Sequence, residues 1–229
     1  MNLGLYQMKY PFRRMIGGLR RVAGNTRPDT VSWSCLPIGA ATAAVYYFAP
    51  RTPLLFAAGI ALIVLRMIVT TLDGLLAEST GRSCPRGELV NRIPSKISDA
   101  LLLVAIAAAA DVPAAWAAAA VAGCWLASYA GLLGPLAGVP GQSIGPAGQT
   151  DRLAATMVVS LWGLAGAFGF PATLAGLSPL QWLLAWFAVG GAATFLLRVR
   201  RTLRDARRAD PAVWRAIKQG EALREGPRP

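Results

Sequence analysis

Leu54–Leu72 reads LLFAAGIALIVLRMIVTTL, and its only charge is Arg66. A run of about 20 apolar residues is enough to cross a bilayer as a helix. Within lipid every backbone group must be bonded internally, so a span is a helix or part of a closed barrel. The run is continuous and does not alternate, which points to a helix. Similar runs lie on either side at Val31–Phe48, Ile97–Ala110 extended at both ends, Ala114–Ala137, Leu153–Phe170 and Leu180–Leu197. The expected fold is therefore all-α, a polytopic membrane bundle of about six transmembrane helices. Residues 1–30 form a basic amphipathic N-terminal segment, 31–198 the membrane domain and 199–229 a basic tail. With 55% apolar and only 15% charged residues, the chain has little left for a large soluble domain. Its 24 glycines, with many alanines, let helices approach closely. The pairs Gly134/Gly138 and Gly141/Gly145 are placed in a connection and given no packing role.

The net charge of +12 raises the question of nucleic acid, but its distribution fits a membrane better. Lys9, Arg13, Arg14, Arg20, Arg21 and Arg27 precede the first run. Arg82, Arg86, Arg92 and Lys96 follow the second, Arg152 follows the fourth, and ten more basic residues lie between Arg198 and Arg228. The opposite connections hold Arg51 alone. Basic residues collect on the cytoplasmic side and meet anionic lipid there. An even number of spans then puts both termini in the cytoplasm of a multi-pass cell-membrane protein, with membrane lipids and not nucleic acid as partners. Leu3–Val22 can share a surface-lying amphipathic helix, started or kinked by Pro11. No signal peptide is expected, because the first apolar run begins near residue 31 behind a basic segment. Trp33, Trp116, Trp182 and Trp186 suit interfacial belts.

Some chemistries are excluded. The chain has no histidine, which removes histidine bases, His metal ligands and Ser-His-Asp triads. Cys35, Cys84 and Cys124 have no paired spacing that would suggest a disulfide or zinc.

Two inner segments carry polar residues in a pattern. Arg66–Asp99 reads RMIVTTLDGLLAESTGRSCPRGELVNRIPSKISD, and Gly145–Arg152 reads GPAGQTDR. Asp73 closes the second run, and Gly74 leaves space beside it. Asn91, Ser95 and Asp99 are spaced by four and share one helix face, with Pro94 in what reads as the first turn, where proline is tolerated. A carboxylate at the membrane rim needs a cation, a metal or water. Oxygen ligands on facing helix ends suit Mg²⁺ or Mn²⁺. Arg66, two turns before Asp73, is placed to meet a carboxylate or a lipid phosphate, or to snorkel.

The segment from Asp73 to Asn91 resembles the signature of the CDP-alcohol phosphatidyltransferase family, D-x2-D-G-x2-A-R-x8-G-x3-D-x3-D. Asp73, Gly74, Ala77 and Gly87 match without a gap, and six helices with a basic amphipathic start are similar to the family's plan. The closest likeness is to a subgroup with LDG, an asparagine at the third acidic position, a further aspartate matching Asp99, and GPxGKSDR before the fifth span. The resemblance covers roughly residues 5–200. It implies transfer of a substituted phosphate from a CDP-linked lipid donor to an alcohol, with release of CMP, in phospholipid biosynthesis. It further implies a homodimer and two divalent metals, Mg²⁺ or Mn²⁺, at the positions of Thr70, Asp73 and Asn91. The CDP-donor site would comprise Asp73, Gly74, Ala77 and Gly87, with Arg152 and Gln149 toward phosphate. Ser95 stands at the position of the family's base.

The sequence departs from that pattern at several of these positions. The first acidic position is Thr70, the arginine is Glu78, the third acidic position is Asn91, the base is Ser95 and the lysine of the second motif is Gln149. Asp99, one turn past Ser95, is the remaining candidate base, with Glu78 or Glu88 as further carboxylates. Two expectations stand together: a divergent transferase, and a catalytically inactive scaffold that keeps the fold to bind lipid, nucleotide or a partner. A small transporter is a third class, and neither a repeat nor a broken helix supports it.

Overall fold

A computed structural model of the chain describes residues 28–79, 85–209, 211–212 and 214–215, except the side chains of 28, 77–79, 85, 86 and 88. The expected amphipathic helix over Leu3–Val22, the thiol of Cys84, the side chains of Ala77, Glu78 and Glu88 and the end of the basic tail lie outside the described residues.

Among the described residues the chain is all-helical. Its helices are α1 Pro28–Phe48, α2 Leu55–Ser79, α3 Pro85–Ala109, α4 Ala114–Leu136, α5 Gln149–Gly166 and α6 Pro179–Ala206. Each coincides with one of the six apolar runs. Three helices are long and apolar enough to cross a membrane: α2 over Leu55–Leu76, α4 and α6. α3 starts well before its apolar half, so Pro94 lies inside the helix and not in its first turn. Its ring removes one helix N–H, and nearby the Ser98 hydroxyl donates to the Pro94 carbonyl at 2.8 Å.

α1 packs against α3 and α2, and α4 packs against α6. One end of the bundle gathers the turn after α1, the α3–α4 turn and the start of α6. There Gln181 Nε2 donates to the Ala110 carbonyl at 3.1 Å, and the Trp182 indole donates to Leu174 O at 2.9 Å. The other end gathers the C-terminal parts of α2, α4 and α6 with the beginnings of α3 and α5. Of the basic side chains described, only Arg51 belongs to the first end.

The interior mixes apolar and small polar groups. Tyr46, Phe56, Ile63, Ile106, Leu184 and Phe187 form its apolar part, while Thr42, Ser98, Thr156, Ser160 and Thr194 are almost fully buried. Hydroxyls of this kind bond their own helix or a neighbour: Tyr46 and Ser160 meet at 2.6 Å, and Ser160 donates to Thr156 O at 2.6 Å. Tyr46→Phe is expected to destabilise the protein by about 1 kcal/mol, the net worth of a typical hydrogen bond. Reversible unfolding in mixed micelles measures this, and an unchanged free energy would show that the α1–α5 bond contributes nothing.

Close contact in places requires glycine. A Cβ on Gly191 of α6 would come 2.5 Å from the Gly123 carbonyl carbon of α4. Gly145 has φ +115°, and a Cβ there would meet Thr194 at 2.6 Å. Gly134 lies in α4, and a Cβ on it would sit 2.4 Å from Pro140 O. Gly134 and Gly145 therefore do carry packing, contrary to expectation, because the connection folds back onto α4 and α6.

Candidate functional site

α2 and α3 bring the first polar segment together at the basic end. Asp73, 3% exposed, accepts a hydrogen bond from Ser32 of α1 at 2.5 Å. Beside it, a Cβ on Gly74 would meet no atom within 4 Å, so the helix presents open space next to its carboxylate. Ala77 continues α2, and Gly87 and Asn91 lie in the first part of α3, both half-buried.

Two turns past Asn91, Asp99 is the centre of a charge cluster. Arg66, only 2% exposed, donates from Nη2 to Asp99 Oδ1 at 2.5 Å and to the Ser95 carbonyl at 2.7 Å. Of the fates open to Arg66, the structure selects a carboxylate partner, and on α3, not its own helix. The second carboxylate oxygen, Oδ2, has Arg152 Nη2 at 3.6 Å and Lys96 Nζ at 3.8 Å. Among the described residues it accepts no hydrogen bond, and Asp99 borders a cavity of about 10 Å³ between α3, α5 and Phe187, room for about one water.

The second motif comes to the same place. Asp151, at the start of α5, accepts from the Gly148 N–H at 3.1 Å, so part of its work is to cap the helix. Arg152 turns inward, where it donates to the Ala147 carbonyl at 3.0 Å and toward Ser128 Oγ at 3.4 Å. Gln149 Nε2 donates to Ser95 Oγ at 2.9 Å, and Lys96 Nζ reaches Gln149 Oε1 at 3.5 Å. A cation from α3, Lys96, therefore stands beside Gln149. Spacing along the chain did not reveal this, because the two residues are distant in sequence. Arg198 of α6, 7% exposed, closes the cluster from below by donating to Ile144 O at 2.8 Å and Ala127 O at 2.7 Å.

Three cations thus lie within 4 Å of one carboxylate, and the surplus positive charge suits an anion such as phosphate. The described donors suit a pair of divalent cations poorly. Thr70 Oγ1 donates to Arg66 O at 2.9 Å and to Met67 O at 3.1 Å, along its own helix. Asp99 is engaged by Arg66, which leaves Asp73 and Asn91. No group of three acidic, Cys or His side chains gathers among the described residues. Compared with known proteins, the chain matches no family model and no curated sequence.

Proposed function

We propose that the chain is a six-span membrane protein on a scaffold of CDP-alcohol phosphatidyltransferase type, holding a CDP-linked lipid donor at its basic, cytoplasmic end. The observation that carries this reading is the meeting of Lys96, Asp99, Gln149 and Arg152 in one cluster, from two segments about 50 residues apart in sequence. Both segments belong to the resemblance, and a diphosphate is the anion their charge suits. The open space at Gly74 is where the cytidine would lie. Apolar side chains exposed within the apolar parts of the less apolar helices, Val104 of α3 at 59% and Val158 of α5 at 65%, support counting these too as spans, because lipid would cover them. Both termini then face the cytoplasm, and part of the exposed surface is available to a homodimer.

The activity this scaffold suggests is transfer of the donor's substituted phosphate to an alcohol, releasing CMP, with Asp73 at the donor and Asp99 or Ser95 toward the acceptor. Binding without transfer is the second reading, favoured by the engagement of Asp99 with Arg66 and by the poor metal donor set. One preparation tests both. Full-length protein in detergent is assayed for CDP binding, and for CMP release from CDP-diacylglycerol with Mg²⁺ or Mn²⁺ and a panel of alcohols. Lys96→Gln is expected to weaken CDP binding roughly tenfold, the worth of one charge-assisted hydrogen bond. Metal-dependent CMP release that Asp73→Asn abolishes would establish the transferase. Binding without release would establish the second reading, and folded protein that binds neither CDP nor the lipid would sink both.

A further inference from the structure

α6 changes character at Leu197. Its preceding turns are apolar; after them come Arg198, which turns inward, and then Arg200, Arg201, Arg204 and Arg208. These last four line an open groove of about 450 Å³, bounded by Ile144 from the α4–α5 connection, by Leu197 and by Asp205. Arg200 and Arg204 are spaced by four and share one face of α6, where like charges repel, and Arg208 follows in the turn just past the helix, where its N–H donates to the Asp205 carbonyl at 3.0 Å. Among the described residues none of the three has a carboxylate partner. Asp205, the groove's one acid, is already shared: it lies 3.9 Å from Arg201 Nε and accepts from Gln142 Nε2 at 3.0 Å. A helix that concentrates guanidinium groups without internal compensation lowers its energy by taking an external anion, and guanidinium is the group that grips phosphate in two-point fashion.

We infer that this groove is a headgroup site for an anionic phospholipid. It shares no residue with the Asp73–Asp99 cluster, and it requires only that α6 cross the membrane, for which the helix is long and apolar enough. The apolar side chains decide between a lipid and a soluble anion. Leu197 and Ile144 border the groove on the side where α6 leaves its apolar segment, so a ligand there meets guanidinium at one end and hydrocarbon at the other. A phosphodiester headgroup with its glycerol and upper acyl chain has that polarity, and basic pockets at the ends of spans bind such headgroups.

The test uses the full-length protein in detergent, with binding of short-chain phosphatidylglycerol, phosphatidylcholine of the same chains, and inorganic phosphate measured by native mass spectrometry and by titration. Phosphatidylglycerol is expected to bind at least tenfold tighter than phosphatidylcholine. The triple variant Arg200→Gln, Arg204→Gln, Arg208→Gln is expected to lose roughly 100-fold in that affinity, at about fivefold per arginine, and Arg51→Gln at the other end is expected to change nothing. All three arginines are exposed, and Arg204→Gln alone, about fivefold weaker, gives the reading where the triple variant does not fold. Equal binding of the two lipids, or unchanged affinity in the variants, would overturn the assignment. So would inorganic phosphate that competes as well as the lipid, since the groove would then hold a soluble anion.

Discussion

Asp99→Asn is expected to lower the unfolding free energy by about 3–5 kcal/mol, the cost of leaving a buried charge without its partner. Arg66 is 2% exposed, and among the described residues its Nε already lacks a hydrogen-bond acceptor. Its guanidinium is held by Asp99 Oδ1 and the Ser95 carbonyl. Asparagine keeps the shape and removes the charge, so Arg66, Lys96 and Arg152 would then face one another around a neutral amide. The pair can also be removed as a pair. Arg66→Met with Asp99→Leu is expected to recover most of the loss, because apolar residues of similar volume replace buried ion pairs at little cost. Unfolding in mixed micelles, followed by circular dichroism, measures all three proteins. A single variant within about 1 kcal/mol of the parent would show that the ion pair does not hold α2 to α3, since removing a needed partner costs several times that.

Gly191→Ala is expected to cost about 3 kcal/mol, the upper end for overpacking by so small a group. The obstacle is backbone: the new Cβ would lie 2.5 Å from the Gly123 carbonyl carbon, and no rotamer change relieves it. α4 and α6 would have to move apart along their shared face, and with them Arg198, whose guanidinium bonds the Ala127 carbonyl of α4. Gly74→Ala is the matched control. It also adds a methyl to a helical glycine, but into open space, and alanine is the better helix former by up to about 1 kcal/mol. Its stability is expected to match or exceed the parent's. If both substitutions shift the unfolding midpoint equally, the α4–α6 approach is not as close as described.

The six helices were legible in the chain because continuous apolar runs of helical length leave the backbone little choice. Their ends were less so: hydropathy located the apolar half of α3 at residue 97, while the helix begins at Pro85. The polar half is helical as well, and a hydropathy reading is blind to it. The packing at Gly134 of α4 and Gly145 of the α4–α5 connection is hidden from the sequence for a related reason. Spacing says which residues share a helix, but not that a connection returns to lie against Gly134.

Within the candidate site, the residue types and their places on each helix could be read in advance: Asp73 beside Gly74, Ser95 and Asp99 on one face, Arg152 at the start of α5. Their partners could not. That Ser32 meets Asp73, that Arg66 meets Asp99 and not a lipid, and that Lys96 stands beside Gln149 all depend on how α1, α2, α3 and α5 are rotated against one another. Hydropathy is a property of each segment alone, and charge counts need only the order of residues along the chain. A buried ion pair is a property of two helices at once, and its energy is decided by a few ångströms that no single segment specifies.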